Sequence, residues 1–110
     1  MYQIIFVMGV SGSGKSTIGR LLGQTLRVPF FDADDFHPPE NIQKMENGIA
    51  LNDEDRHIWL EKIRAKAESG IQQESIIFAC SALKEKYRIF LSQGRTHQVK
   101  WIYLAGDFDL

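Results

Sequence analysis

The stretch Gly9-Val10-Ser11-Gly12-Ser13-Gly14-Lys15-Ser16 narrows most what this chain can fold into. It fits G-x-x-x-x-G-K-[ST] at every fixed position, and each fixed position has a physical task. Glycines let the backbone curl around a phosphate with its N–H groups turned inward. A helix that starts at the lysine adds free N–H groups and the positive end of its dipole. Lys15 can reach the β- and γ-phosphates, and the Ser16 hydroxyl can ligate Mg²⁺. Gly9, Val10, Ser11, Gly12, Ser13, Gly14, Lys15, Ser16 and Thr17 are therefore candidate ATP contacts, with Lys15 also a catalytic candidate. Such a loop requires a buried strand before it and a helix after it.

Both flanks read that way. Ile4-Ile5-Phe6-Val7-Met8 is an apolar, β-forming run of the kind buried on both faces of a parallel sheet. After the loop, Ile18, Leu21, Leu22 and Leu26 recur at helical spacing, which predicts a helix over 15–26 with these residues inward. The pattern then repeats. A short strand is expected over 29–32. Pro38 and Pro39 suit the start of a short helix and Gly48 its end. Asn52 suits the N-cap of a longer helix with Asp53, Glu54 and Asp55 in its first turn, and Gly70 can end it. A third strand is expected over 75–80. Ser81 is expected to cap a helix whose Leu83, Tyr87, Phe90 and Leu91 share a face, closed by Gly94. A fourth strand is expected over 99–104. Alternating strands and helices imply an α/β fold with a parallel sheet and flanking helices.

At 110 residues the chain suffices for one domain with a real core, spanning 1–110. Its net charge of −1 gives no reason to expect nucleic-acid or membrane-surface binding. One cysteine, Cys80, excludes an intrachain disulfide and makes a reducing, cytoplasmic setting the expectation. No segment is long enough to span a bilayer, and the first apolar run lacks the basic lead of a signal peptide. The last residues, Gly106 to Leu110, follow directly on a strand. A fold of this type normally continues with a helix and another strand, so the chain reads as a fragment.

Phe31-Asp32-Ala33-Asp34-Asp35-Phe36-His37 places carboxylates and a histidine at the end of the second strand, the edge at which parallel sheets bind ligands. Phosphoryl transfer needs one carboxylate near Mg²⁺ and another to orient or deprotonate the attacking hydroxyl. Asp32 is the metal-shell candidate together with Ser16, because the third strand ends in Cys80-Ser81 rather than in an aspartate. Asp34 is the candidate base or positioning carboxylate, turned to the same side as Asp32 if the strand persists that far. For Asp35 and His37, a capping or surface role stands beside a substrate contact. Arg56 is a cation in the first turn of a helix, where it opposes the dipole. Either an anionic substrate group or an ion pair with Asp53 or Glu54 would account for it. Lys84 and Arg88, one turn apart, could face the phosphates or solvent. Trp59, Trp101 and Tyr103 read as core, Ser81 as a cap, and Cys80 as a buried small residue.

The same residues carry a more specific signal. The blocks 31–38, 41–45, 48–56 with Trp59-Leu60, 79–84 with Tyr87-Arg88, and 102–108 together resemble the gluconokinase family over essentially the whole chain. The resemblance implies a nucleoside-monophosphate-kinase-like fold, shared with shikimate kinase. It implies Mg²⁺- and ATP-dependent phosphorylation of D-gluconate to 6-phosphogluconate, and possible homodimers. By likeness to shikimate kinases it assigns Asp32 to the Mg²⁺ shell and Asp34 to the substrate, and Arg56 to the substrate carboxylate. Asp34, His37, Arg56 and Lys84 are the substrate-binding candidates. Family members run some sixty residues further. The part beyond 110 would hold a mobile lid with phosphate-binding arginines, a fifth strand and much of the adenine pocket. Lid cations stabilise the transferring phosphoryl, so without them chemistry should be impaired. The fourth strand would also be an unprotected edge.

Overall fold

The structure is a computed structural model, and it describes residues 2–9, 14–81 and 84–104. Four strands, β1 (Ile4–Met8), β2 (Phe30–Asp32), β3 (Ile76–Cys80) and β4 (Val99–Tyr103), form one sheet in the order β2-β3-β1-β4. Every pairing is parallel, with Ile4 opposite both Ile76 and Val99. The connections run through helices α1 (Lys15–Leu26), α2 (Pro39–Glu46), α3 (Asp53–Gly70) and α4 (Glu85–Ser92), and through a 3-10 turn at Ala33–Phe36. β1 is central, and the chain leaves it for the far edge and later returns to its other side. That reversal opens a crevice beyond the carboxyl ends of the strands.

The two faces of the sheet are covered unequally. α3 and α4 cover the thicker side, where Phe6, Phe78, Trp59, Leu60, Ile63 and Leu91 form the main core. Phe6 stacks on Phe78 and on Trp101, with centroids 5.4 and 4.6 Å away. Each such pair adds about 0.5–1.5 kcal/mol to the area buried. The thinner side holds Val7, Ile77 and Leu104 beneath α1, with Ile18, Leu22 and Phe30 partly buried.

α1 has the expected bounds, and Ile18 and Leu22 turn inward as expected, but Leu21 and Leu26 do not. Gly19 and Gly23 are its buried residues, whereas Leu21 and Leu26 are each 53% exposed. A Cβ at Gly19 would stand 2.5 Å from Phe30 Cε1, and one at Gly23 2.9 Å from the Val28 carbonyl oxygen. The helix lies against β2 because these positions lack side chains.

Asn52 caps α3 as expected, in a reciprocal box: its side chain accepts from Asp55 N, and Asp55 Oδ2 accepts from Asn52 N. Gly70 is the last residue of α3, as expected, and Ile71 follows in right-handed conformation. A Cβ at Gly70 would meet Ile76 Cδ1 at 3.0 Å, so the glycine serves close packing on β3. Other expectations are corrected. Ser81 does not cap α4, which starts at Glu85 with Lys84 as N-cap. Leu83 lies outside the described residues. Tyr103 is not core but 63% exposed, at the end of an edge strand beyond the cover of α3 and α4.

Candidate active site

The edge at which β1, β2 and β3 end also receives the start of α1. Gly14 precedes α1 with φ 84° and ψ 15°, a left-handed conformation that glycine adopts without Cβ strain. It brings no side chain to occupy the first N–H groups of the helix, and the first turn holds no acidic residue. That helix start is therefore suited to an anion. Gly9 is buried, Lys15 and Ser16 are half-buried, and Thr17 is exposed. Val10, Ser11, Gly12 and Ser13 lie outside the described residues.

Asp32 links two elements. Its Oδ2 accepts from Ser16 Oγ at 2.9 Å, and its Oδ1 accepts from Asp34 N at 3.0 Å. The second bond caps the 3-10 turn. The strand stops at Asp32, so strand alternation does not align Asp34 with it; the tight turn brings Asp34 to the same edge instead. A hydroxyl and a carboxylate in contact are the hard oxygen donors that Mg²⁺ favours, with nucleotide phosphates and water completing its shell. Among the described residues no group of three or more His, Cys, Asp or Glu gathers as a metal site. An ion here would rest on Ser16, on Asp32 and on the phosphates.

Beside this pair lies a cleft of about 400 Å³, within the range of small-molecule sites. Its polar wall holds Lys15, Asp34, His37, Arg56 and Ser81; its apolar wall holds Met45, Ile49, Ala50, Leu51 and Trp59. A second groove, about 440 Å³ between α3 and α4, shares none of these residues. Asp35 is exposed on the 3-10 turn and does not line the cleft.

His37 is held on two sides. Its ring stacks on Trp59, with centroids 4.4 Å apart and planes 14° apart, and its Nδ1 lies 3.2 Å from Asn41 Nδ2. The Trp59 indole N–H donates to Ala33 O at 2.7 Å, which ties α3 to the 3-10 turn. Burial lowers the pKa of His37 below 6.5; Asp34 opposes that shift and Arg56 reinforces it.

Arg56 makes no ion pair with Asp53 or Glu54 among the described residues. Its Nη1 donates to Tyr87 Oη at 3.3 Å, and Tyr87 Oη donates to Asp53 Oδ1 at 2.8 Å. Asp53 also accepts from Lys86 Nζ at 2.7 Å. The Lys86 and Tyr87 hydrogen bonds hold its carboxyl at about 2. Lys44 likewise holds the Asp55 carboxyl below its usual range, with help from the Asn52 backbone. Lys84 does not line the cleft; its Nζ lies 5.6 Å from the centre of the Tyr87 ring. Arg88 is half-buried on α4. Cys80 is buried, as expected.

Three residues with a part in this site were not among the sequence candidates. Asn41 stands four positions after His37, a helical spacing that could have flagged it. Tyr87 sits on the apolar face of α4, which hides its hydroxyl. Trp59 has the composition of core and is also the shelf for His37.

Fold and site define a P-loop phosphotransferase domain of the shikimate-kinase type. The family model described as shikimate kinase matches residues 11–110, so the chain belongs to that family. It is 38% identical to a probable gluconokinase of Mus musculus over 124 aligned positions, which cover 97% of this chain and 67% of that one. More narrowly, then, the chain belongs to the gluconokinase family. A gluconokinase of Arabidopsis thaliana is 51% identical over 81% of the chain and 48% of its own length. The crystal structure of a gluconokinase from Sinorhizobium meliloti 1021 superposes with a TM-score of 0.84 at 42% identity, covering 96% of this chain and 58% of that one. The chain spans about half the length of the curated relatives it matches. Among the described residues no helix is long and apolar enough to cross a membrane.

Proposed function

We propose that this chain carries the phosphate-binding and acceptor-binding parts of an ATP-dependent gluconokinase, which transfers the γ-phosphoryl of ATP to D-gluconate and yields 6-phospho-D-gluconate. The observation that carries this reading is one cleft in which Lys15, Asp34, His37 and Arg56 stand together, beside the Ser16–Asp32 hydrogen bond.

The roles follow from chemistry. Lys15 and the N–H groups at the start of α1 bind the β- and γ-phosphates. Ser16 and Asp32 hold Mg²⁺, which when bound neutralises phosphate charge. Asp34 orients the acceptor hydroxyl and takes its proton as the bond to phosphorus forms. Arg56 forks onto the gluconate carboxylate, and Tyr87 steadies the guanidinium from behind. The apolar wall from Met45 to Leu51 keeps water from the acceptor. Lys84 stands away from this cleft, so its part in substrate binding is left to phosphate groups that reach beyond it. A cytoplasmic setting suits the buried Cys80 and the ATP requirement.

The test is ADP release with Mg-ATP, with and without gluconate, on this chain and on a version extended to the length of the relatives. Gluconate-dependent release is expected, at least from the extended chain. Lys15→Ala should abolish it. Asp34→Asn should lower kcat by about 10²–10⁴, the range for a lost general base. Arg56→Ala should mainly raise KM for gluconate. Release that depends on shikimate or another sugar acid, and not on gluconate, would overturn the substrate; no release with any acid would leave a nucleotide-binding chain.

A further inference from the structure

The hydrogen bonds around Asn41 determine the protonation state of a neighbour. Asn41 is 2% exposed, near the start of α2. Its side-chain Nδ2 lies 2.9 Å from the Asp55 carbonyl oxygen and 3.2 Å from His37 Nδ1. A peptide carbonyl only accepts, so the amide edge that meets it must be the NH₂. One hydrogen of that NH₂ goes to Asp55, and the other points at His37 Nδ1. Nδ1 must then offer a lone pair. A neutral imidazole with a lone pair on Nδ1 carries its hydrogen on Nε2.

From this arrangement we infer that Asn41 fixes His37 as the Nε2–H tautomer, and that His37 thereby gives the acceptor substrate an N–H donor. The substrate half of the inference rests on the proposed kinase reading; the tautomer half does not. The partner is an oxygen with a lone pair to offer, a hydroxyl or carboxylate oxygen of a sugar acid. The assignment also separates two roles. A ring nitrogen that already carries its hydrogen cannot take a proton from the acceptor hydroxyl, so His37 orients and Asp34 remains the base. Asn41, which is turned toward the protein and not the cleft, is a positioning residue.

The surroundings agree. The charged groups that act on the ring are Asp34 on the 3-10 turn and Arg56 on α3; Lys15 on α1 lines the same cleft. Partial burial and the Arg56 cation oppose an imidazolium, and one carboxylate favours it. Protonated Nδ1 would also set an N–H against the Asn41 NH₂, two donors with nothing to share. Trp59 fixes the ring plane, so Nε2 has a defined direction.

Nitrogen-15 NMR of histidine-labelled protein reads the tautomer directly, with the His37 signals identified by their loss in His37→Gln. At neutral pH the wild type should show protonated Nε2 and bare Nδ1. A protonated Nδ1, or the averaged pattern of a free histidine, would overturn the inference. In Asn41→Asp the new carboxylate accepts where the amide donated, so the hydrogen should move to Nδ1 or the ring should become charged. If that variant does not fold, the wild-type spectrum still decides. Kinetics read the donor. His37→Phe keeps the stack on Trp59 without an N–H, and His37→Gln keeps an N–H. KM for gluconate should rise about tenfold in the first, the scale of one lost hydrogen bond, and clearly less in the second. Equal KM values would overturn the donor role. Failures are distinguishable: an Nε2–H tautomer in a protein without gluconate turnover would count against the choice of substrate. Gluconate turnover with an Nδ1–H tautomer would count against His37 and Asn41.

Discussion

Asp53 shows how little an ion pair says about stability and how much about proton affinity. Its carboxyl is held at about 2, against an ordinary 3.8, first by Lys86 and then by Tyr87. The pair is solvent-exposed, so its contribution to stability is small and salt-sensitive. The sign follows from linkage. The folded state binds the proton more weakly than the unfolded one, so the contribution is present above pH 3.8 and is lost as pH falls through about 2. Lys86→Ala should move the Asp53 titration up toward 3.8, with almost no change in melting temperature at pH 7. A carboxyl titration followed by NMR checks this, and an unmoved midpoint would remove Lys86 as the cause. Tyr87 bridges Asp53 to Arg56, so the same titration in Tyr87→Phe reads whether the hydroxyl takes part. Residue types near the cleft were legible in the sequence because phosphate chemistry demands them: a lysine in the loop, a hydroxyl after it, carboxylates at the next strand end. Their second partners were not legible. Nothing in the one-dimensional pattern says that Tyr87 donates across 34 positions to Asp53, or that an asparagine sets the hydrogen of a histidine.

At the level of elements, the strand–helix alternation is plain in the sequence, and helix bounds such as those of α1 follow from it. The facing of α1 follows only in part: Ile18 and Leu22 turn inward, and Leu21 and Leu26 do not. Apolar periodicity gives weight to leucines and none to glycines, so it misses the approach of a helix to its sheet through missing side chains. Ser81 misleads for a related reason: a serine after a strand suits a cap, yet α4 begins four residues later. The close approach of α1 has a measurable consequence. Gly23→Ala would gain about 1 kcal/mol in helix propensity. It would also press a Cβ to 2.9 Å from the Val28 carbonyl, a backbone atom that cannot step aside. The net effect should be destabilising by up to about 2 kcal/mol, because overpacking typically costs about 1–3 kcal/mol. Gly19→Ala meets the Phe30 ring at 2.5 Å, an even closer contact, but with a side chain that can rotate. Urea unfolding of the two variants measures both. A more stable Gly23→Ala would show that α1 can lift from β2 without penalty.

For the whole molecule, the exposed outer strands matter most. Among the described residues β4 pairs on one side only, and Ile102 and Tyr103 are 36% and 63% exposed. Unpaired parallel edges recruit further strands. The described chain should therefore associate in a concentration-dependent way, and Tyr103→Lys should suppress this, as read by light scattering. Association unaffected by this charge would point to another surface.

The central place of β1 also bears on how the protein is made. β1 is made before β2, β3 and β4, yet its neighbours are β3 and β4, and the bond from Gln3 N to Ser75 Oγ already spans 72 positions. At roughly 5–20 residues per second, the ribosome needs about 4–14 s to supply the first partner. For that interval Ile4 to Met8 is an apolar strand with both edges open and no sheet to enter. α1, made soon after it, packs on one face of β1 at Ile5 and Val7 but supplies no strand to pair with either edge. A nascent chain of this topology thus carries an exposed apolar segment until the residues of β3 have been added.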